Sequence, residues 1–184
     1  MKSALLAFAY AFITACSMNA PMYSPSPNNS NILQATHGNR VAVDAFSAKN
    51  KEVNNLSMRG GSLVSPYEQS YSKYLTKALE EELKLAGIWD NNAKTRVSGE
   101  LMDNQLDISS FSIGTASITA KFIVTNNNNK IYEKEISAKH EWESSFAGAV
   151  AIPAGQTNYP IVIQKLFGNL FADKDFIKAI QKPN

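Results

Sequence analysis

Few residues in this chain combine the side-chain types and spacing that enzymatic chemistry requires. The two histidines, His37 and His140, are far apart, and neither has another ligand residue at a metal-binding spacing. Glu141 and Glu143 alternate along a predicted strand and could work as an acid–base pair, although a solvated strand edge explains them more simply. Glycine-rich phosphate loops and serine-hydrolase motifs are missing from the sequence. We therefore expect no enzyme, no metal site and no cofactor.

The single cysteine, Cys16, follows an N-terminal stretch that has the features of an export signal. Residues 4–13 are apolar, a run too short to span a bilayer, which needs about 20 residues, but typical of a signal peptide. Residues 13–16 are Ile-Thr-Ala-Cys, which resembles the lipobox of bacterial lipoproteins. The resemblance implies cleavage before Cys16 and a lipid with palmitate-type acyl chains on its thiol.

The residue after the cysteine bears on localisation. Two or three acyl chains anchor a protein stably, whereas one alone gives only marginal binding. Position 17 is serine and not aspartate, which by resemblance to enteric lipoproteins implies the outer membrane. We therefore expect a lipid-anchored protein on the periplasmic face of the bacterial outer membrane.

Composition divides the rest of the chain. Residues 1–15 are the predicted signal peptide, and 16–39 are the lipidated cysteine and a flexible tether, because this stretch is rich in proline, serine and asparagine. Residues 40–184 form one predicted periplasmic domain. The net charge of +2 gives no electrostatic footprint for nucleic acid or anionic headgroups. Contact with the membrane is therefore expected through lipid on Cys16.

The domain is predicted to be α+β. After a short strand at 40–46 and a loop at 47–63, residues 66–86 follow the helical period, with Ser65 and Glu68 as a capping box and Gly87 as the stop. Strands are predicted at 95–108, 114–125 and 131–142 from their period of two. A C-terminal helical region follows Pro160, and Asp173 caps a last short helix. This order predicts an antiparallel or mixed sheet of about four strands, with the long amphipathic helix and a C-terminal helix packed on one face.

The best candidate for a partner-binding surface is residues 146–155, which are apolar, rich in small residues and without a period. They either pack on the sheet edge as a connector or stay exposed as a patch for a protein or a membrane. Phe146, Ala149 and Ile152 are the candidate contacts. Arg59 is a further candidate for binding a partner or an anion, although the Gly60-Gly61 pair beside it also explains this stretch as a turn.

The lipobox, the order of elements and the strand start Val97-Ser98-Gly99 resemble the auxiliary lipoproteins of ABC-type envelope transporters and, more distantly, the core of curli-secretion-type lipoproteins. The string 142–146, Trp-Glu-Ser-Ser-Phe, resembles a narrower group of proteobacterial lipoproteins without an assigned activity. The resemblance covers roughly Arg40 to Ile180 in order of elements, and only the lipobox is a specific motif. It implies a non-enzymatic accessory that docks on an envelope complex for transport, secretion or assembly.

Two other functions remain open at this point. A lipid or amphiphile carrier would need a cavity between helix and sheet; its lining would include Tyr71, Leu75, Phe122 and Trp142. A cell-wall hydrolase would need Glu141 or Glu143 in a cleft.

Overall fold

The computed structural model of the protein describes residues 17–36 and 38–181, so Cys16 and His37 lie outside the described residues. The described chain forms two β-sheets and four α-helices. In chain order the elements are β1 (Ser17–Asn19), α1 (Pro27–Ala35), β2 (Val41–Val43), β3 (Ser47–Ala48), a 3₁₀-helix (Glu52–Asn54), β4 (Leu56–Met58), β5 (Gly61–Val64), α2 (Tyr71–Leu85), β6 (Thr95–Asp107), β7 (Ile113–Asn126), β8 (Asn129–Glu143), α3 (Gly148–Ala172) and α4 (Lys174–Ile180).

The larger sheet confirms the predicted α+β class. Strands β6, β7 and β8 are antiparallel neighbours, while β2 and β3 pair in succession, both in parallel, with β6. The alternation predicted for β7 is present, since every second residue from Ala116 to Val124 is buried. Period-two sequences therefore marked the strands that bury one face.

Helices α2 and α3 cover this buried face. They contribute large side chains that are fully buried against the sheet, and aromatic rings fill much of the space between the layers. Tyr71 of α2 meets Tyr159 of α3 edge-on at 5.2 Å, and Phe122 of β7 meets Phe167 of α3 at 6.2 Å. Tyr71 and Tyr74 of α2 are therefore part of the core.

A second, smaller sheet lies where the sequence predicted a loop. Strands β4 and β5 form an antiparallel hairpin, and β1 pairs with β5 in parallel, in the order β1-β5-β4. The loop prediction for 47–63 is wrong because these strands are short and have polar residues between single buried ones, such as Leu56, Met58 and Leu63. Such a segment has too few residues to display a period.

The flexible tether predicted for 16–39 is not what the structure has at residues 17–36. Strand β1 is paired with β5, and Pro27 is the first residue of α1. The side chains of Tyr23 and Leu33 are buried. Asn29 and Ser30 are buried too. The polar composition that favoured a linker reflects side chains that hydrogen-bond inside the protein instead of to water.

Helix α2 begins later than predicted. Ser70, not Ser65, is its N-cap, and Glu68 and Gln69 have positive φ angles of 51° and 57°, which a helix excludes. The side-chain oxygen of Asn54 accepts hydrogen bonds from the backbone N–H groups of Tyr71 and Ser72, so a tertiary contact fixes this start. The predicted stop at Gly87 is correct, with φ of 75°.

Helix α3 begins well before Pro160, the predicted start of the C-terminal helical region. Residues 148–155 form its first turns, and the helix contains both Pro153 and Pro160. Its inner side there is made of small residues, so Gly155 lies close to Ile108, with an added Cβ 3.0 Å from the isoleucine side chain. Asp173 caps α4 as predicted. Among the described residues, no helix is both long and apolar enough to cross a membrane.

Gly99 provides a test of how tightly the sheet packs. A Cβ there would lie 2.4 Å from both the backbone oxygen of Lys121 and the ring of Phe46. We expect Gly99→Ala to lower the free energy of unfolding by about 1–3 kcal/mol, because backbone cannot move aside as a flexible side chain can. Denaturant unfolding measures this. Gly148→Ala, whose Cβ would make ordinary contact with Ile152, is the matched control and should stay within about 0.5 kcal/mol of the parent. An equal loss in both variants would contradict the packing argument.

Candidate functional site

Arg59 joins three segments at one end of the molecule. It lies in the turn between β4 and β5, with φ of 39° followed by Gly60 at 82°, so the predicted turn is present. Its Nε donates to the carbonyl of Ile108 at 2.8 Å, and its guanidinium also donates to the carbonyls of Ser145 and Phe146. The turn, the end of β6 and the start of α3 are thereby held together.

The same end carries exposed apolar side chains. Phe146 is 62% exposed, lies under the Arg59 guanidinium at 5.4 Å and stacks on Phe111 with ring centroids 4.9 Å apart. Phe111 is 77% exposed, and Val150 and Ile113 are about half exposed. We call Phe111, Ile113, Phe146 and Val150 the apolar end. Sequence reasoning identified Phe146 but missed Phe111, which lies between serines in a stretch without a pattern.

The other predicted partner-binding residues lie beside the apolar end. Ala149 is exposed on the first turn of α3, and Ile152 is half-buried and packs against the core. The structure therefore brings Arg59 and Phe146 into contact, with Ala149 and Ile152 on the adjoining turn. Their role in binding a partner stays a prediction.

The N-terminal segment is fixed to the domain at several points. The backbone N–H of Ala20 donates to the Val64 carbonyl at 2.7 Å, and the hydroxyl of Tyr74 donates to the Pro21 carbonyl at 2.9 Å. Two glutamines of α3 donate to this segment as well, Gln156 to the Asn19 carbonyl and Gln164 to that of Ser24. Segment 17–36 is therefore an integral part of the fold.

A buried carboxyl group forms another of these attachments. Glu82 of α2 is fully buried, and its Oε1 accepts hydrogen bonds from the Tyr23 hydroxyl at 2.5 Å, the Asn29 amide at 3.0 Å and the Ser26 backbone N–H at 3.1 Å. Its Oε2 has no hydrogen-bond partner among the residues that the structure describes. Burial raises the pKa of Glu82, and the three hydrogen bonds oppose that rise in pKa.

A polar groove of about 470 Å³ runs between α1, α3 and β8. Its lining combines amide side chains with two lysines, and none of the described residues that line it is acidic. The lining consists of Ser26, Asn28, Asn29, Ala138, Lys139, Ile161, Gln164, Lys165, Gly168 and Asn169. This groove can accept a polar or negatively charged segment, because it offers amide groups and cations at one surface. Sequence analysis did not predict it, since its walls come from segments that are distant in the chain.

His140 lies beside this groove and is held by hydrogen bonds on both ring nitrogens. Nδ1 accepts from Lys165 at 3.0 Å, because an ammonium group can only donate, so Nε2 is left to donate to the Asn158 side-chain oxygen, also at 3.0 Å. The described residues contain no group of three side chains that could hold a metal ion. His140 is therefore a hydrogen-bonded residue at the rim of the groove.

Four of the residues proposed for the two other functions have surroundings that do not favour those functions. Tyr71, Leu75 and Phe122 are buried in the core, where aromatic rings of α3 occupy the space that a carried lipid would need. Glu141 pairs with Lys139 at 2.7 Å, and this contact lowers the pKa of Glu141, whereas a general acid needs a raised pKa.

Comparison with known proteins identifies the fold. No protein-family model matches the sequence, and no curated protein is significantly similar to it. Protein XCC0632 from Xanthomonas campestris, of family DUF330, is 13% identical with a TM-score of 0.54, covering 85% of this chain and 95% of that one. Protein CT253 from Chlamydia trachomatis is 12% identical with a TM-score of 0.52, covering 77% and 99%. The chain therefore shares its fold with these two proteins.

A third similarity is weaker. A minor lipoprotein from Acinetobacter baumannii is 13% identical, with a TM-score of 0.44, over 79% of this chain and 96% of that one. A TM-score at this level does not establish a shared fold.

The raised pKa of Glu82 predicts how stability depends on pH. A carboxyl group whose pKa is higher in the folded than in the unfolded state stabilises the fold while it is protonated, and this stabilisation is lost as the pH rises through the folded-state pKa. We therefore expect a higher melting temperature near about pH 5 than near about pH 8, since the ordinary value of 4.5 is the lower limit of the window.

Glu82→Gln is the control, because glutamine keeps an oxygen that accepts from Tyr23 and Asn29 but does not titrate. Its melting temperature should change less between these two pH values. Asp107 and Asp173 have lowered pKa values and act only below this window. An identical pH dependence in parent and variant would exclude Glu82 as its source.

Proposed function

We propose that this protein is a lipid-anchored, non-enzymatic accessory of the bacterial envelope, held to the periplasmic face of the outer membrane through lipid on Cys16. The observation that carries the proposal is the Ile-Thr-Ala-Cys string at 13–16, followed one residue later by strand β1 of a folded domain. An anchor that continues directly into a sheet holds a whole domain at the membrane surface. Such a domain acts by what it binds there.

The second part of the proposal is docking on an envelope protein of a transport, secretion or assembly complex. The polar groove is the surface that favours it, because amide side chains and two lysines line it: Lys165, and Lys139, which also pairs with Glu141 at 2.7 Å. A partner segment with carboxylate side chains fits this chemistry. Charge of this kind directs approach and selects partners more than it adds affinity.

The residues first predicted to bind a partner offer an alternative surface on the same molecule. Ala149 is exposed beside the apolar end, and its small side chain lets another backbone approach closely. Groove and apolar end are separated along α3, since Lys165 is several turns from Ala149. Substitutions on the two surfaces can therefore be tested independently.

Lipidation is tested by metabolic labelling. Cells that express the full chain are fed a palmitate analogue with an alkyne group, and the purified protein is then examined for the label and for the mass of its N-terminal peptide. We expect labelling and cleavage before Cys16, because the thiol of that residue is the acceptor. Cys16→Ala is the control and should carry no label. A mature protein without acyl mass on Cys16 would contradict the anchor.

Docking is tested by crosslinking the lipidated protein in intact cells and identifying what is captured. We expect one envelope protein to be captured from the parent, and the double variant Lys139→Glu, Lys165→Glu to lose that capture because the sign of the groove charge is reversed. Lys51→Glu, Lys94→Glu makes the same charge change on exposed lysines away from the groove and should leave capture intact.

Three outcomes separate the possibilities. Capture that survives the groove variant but is lost with Ala149→Asp would assign docking to the apolar end. Loss in the charge control as well would point to net charge and not to the groove. Absence of any captured protein, together with co-purifying lipid, would contradict docking and favour a carrier.

A further inference from the structure

The apolar end lies close to the point where the chain enters the domain. Strands β1 and β5 are parallel with Ser17 opposite Ser62, so both strands begin at the same end of the small sheet. The turn that precedes β5 contains Arg59, whose side chain contacts the Phe146 ring. Any lipid on residue 16 is thus attached one residue before a strand that starts beside this turn.

Distances along this route are short. Neighbouring strands are about 4.8 Å apart, and each residue from Ser62 to Arg59 adds at most about 3.4 Å. The backbones of Ser17 and Arg59 are therefore within roughly 15 Å of each other, and the Arg59 guanidinium lies 5.4 Å from the Phe146 ring. The connection is also rigid, because Arg59 binds three backbone carbonyls in the segments that carry these rings.

The direct connection between the anchor residue and strand β1 determines what covers the apolar end. With strand β1 paired from Ser17 onward, the domain cannot move away from its anchor as it could on a flexible linker. Aromatic side chains that project from such a domain reach the boundary between headgroups and acyl chains, which accepts amphipathic surfaces to a depth of about 5–10 Å. Exposed aromatic and aliphatic residues in one contiguous patch indicate a contact surface.

We propose that the apolar end is a membrane-contact surface, and that Phe111, Phe146, Ile113 and Val150 enter the bilayer in which Cys16 is anchored. The surface deepens the proposed anchor by giving the domain one orientation on the membrane. The surface itself is apolar. The Arg59 guanidinium beside it donates to backbone carbonyls, and the exposed side chain of Glu143, which lies opposite Ile113 in the β7–β8 register, is negatively charged. The partner is therefore a neutral phospholipid surface, without a requirement for anionic headgroups.

The opposite end of the domain supplies a matched control. Leu85 is 45% exposed at the end of α2, and Ile88, shortly after it, contacts Val41, whose partner Thr95 begins β6. Ile108, which Arg59 binds, follows the last residue of the same strand. A strand of 13 residues spans about 40 Å. A probe at Leu85 is therefore remote from the apolar end, and Leu85 is about as exposed as Ile113 of that end.

The experiment places one additional tryptophan in the full mature protein, as Phe111→Trp, Phe146→Trp or Leu85→Trp. The lipidated proteins are reconstituted into phosphatidylcholine vesicles whose acyl chains carry bromine, which quenches tryptophan fluorescence on contact. Trp89 and Trp142 are present in the parent and in every variant, so the quenching of each variant is expressed relative to that of the parent. We expect at least about twofold more quenching of the added tryptophan at 111 and 146 than at 85, with blue-shifted emission. Adding phosphatidylglycerol should change little.

Quenching at 111 and 146 no greater than at 85 would overturn the proposal. If those positions were unquenched in vesicles but protected in native membranes, the end would be a docking surface for a protein. If they were unquenched and the protein self-associated through them, a second copy would be the occupant. Should Cys16 prove not to be acylated in cells, coupling its thiol to a maleimide phospholipid in the same vesicles gives the same attachment. Failure of the anchor and failure of the membrane contact are thereby distinguishable.

Discussion

The buried carboxyl group of Glu82 joins three parts of the chain: the N-terminal segment, α2 and α3. It accepts hydrogen bonds from Tyr23, Ser26 and Asn29 of the N-terminal segment, and Asn29 also donates to the Gln164 carbonyl in α3. Burying a carboxylate is unfavourable unless such partners replace water. The contact fixes the start of α1 and with it one wall of the groove, which includes Ser26 and Asn29.

The strands and the amphipathic helix could be predicted from the sequence because each buries one face and exposes the other. In β7 that constraint is imposed on every second residue, and in α2 it selects one helical stripe, so the patterns are visible without the structure. Asp173 and Gly87 were predictable for a different reason, since each satisfies a local requirement of a helix end.

What could not be predicted depends on partners that are distant in sequence. Asn29 and Ser30 have the composition of a linker. Their burial is favourable because Asn29 donates to Glu82 and to the α3 backbone, and the Ser30 hydroxyl accepts from Gln34. The start of α2 is fixed by a hydrogen bond from the Tyr71 backbone N–H to the Asn54 side chain, and not by Ser65. Phe111 has no pattern around it, and it gains its place from a stack with Phe146 and from the Arg59 contacts. Functional surfaces of this kind are assembled by tertiary structure.

The start of β1 at Ser17 has a consequence for maturation. Enzymes that attach lipid to a cysteine and cut before it require an extended, accessible backbone around that residue. Once β1 has paired with β5, Ser17 and the residues of β1 after it are no longer accessible in this way. If Cys16 is processed as proposed, acylation and cleavage must therefore precede the docking of this strand, and the order of events during export is set by the fold itself: the last strand to join the small sheet is the one that comes first in the chain.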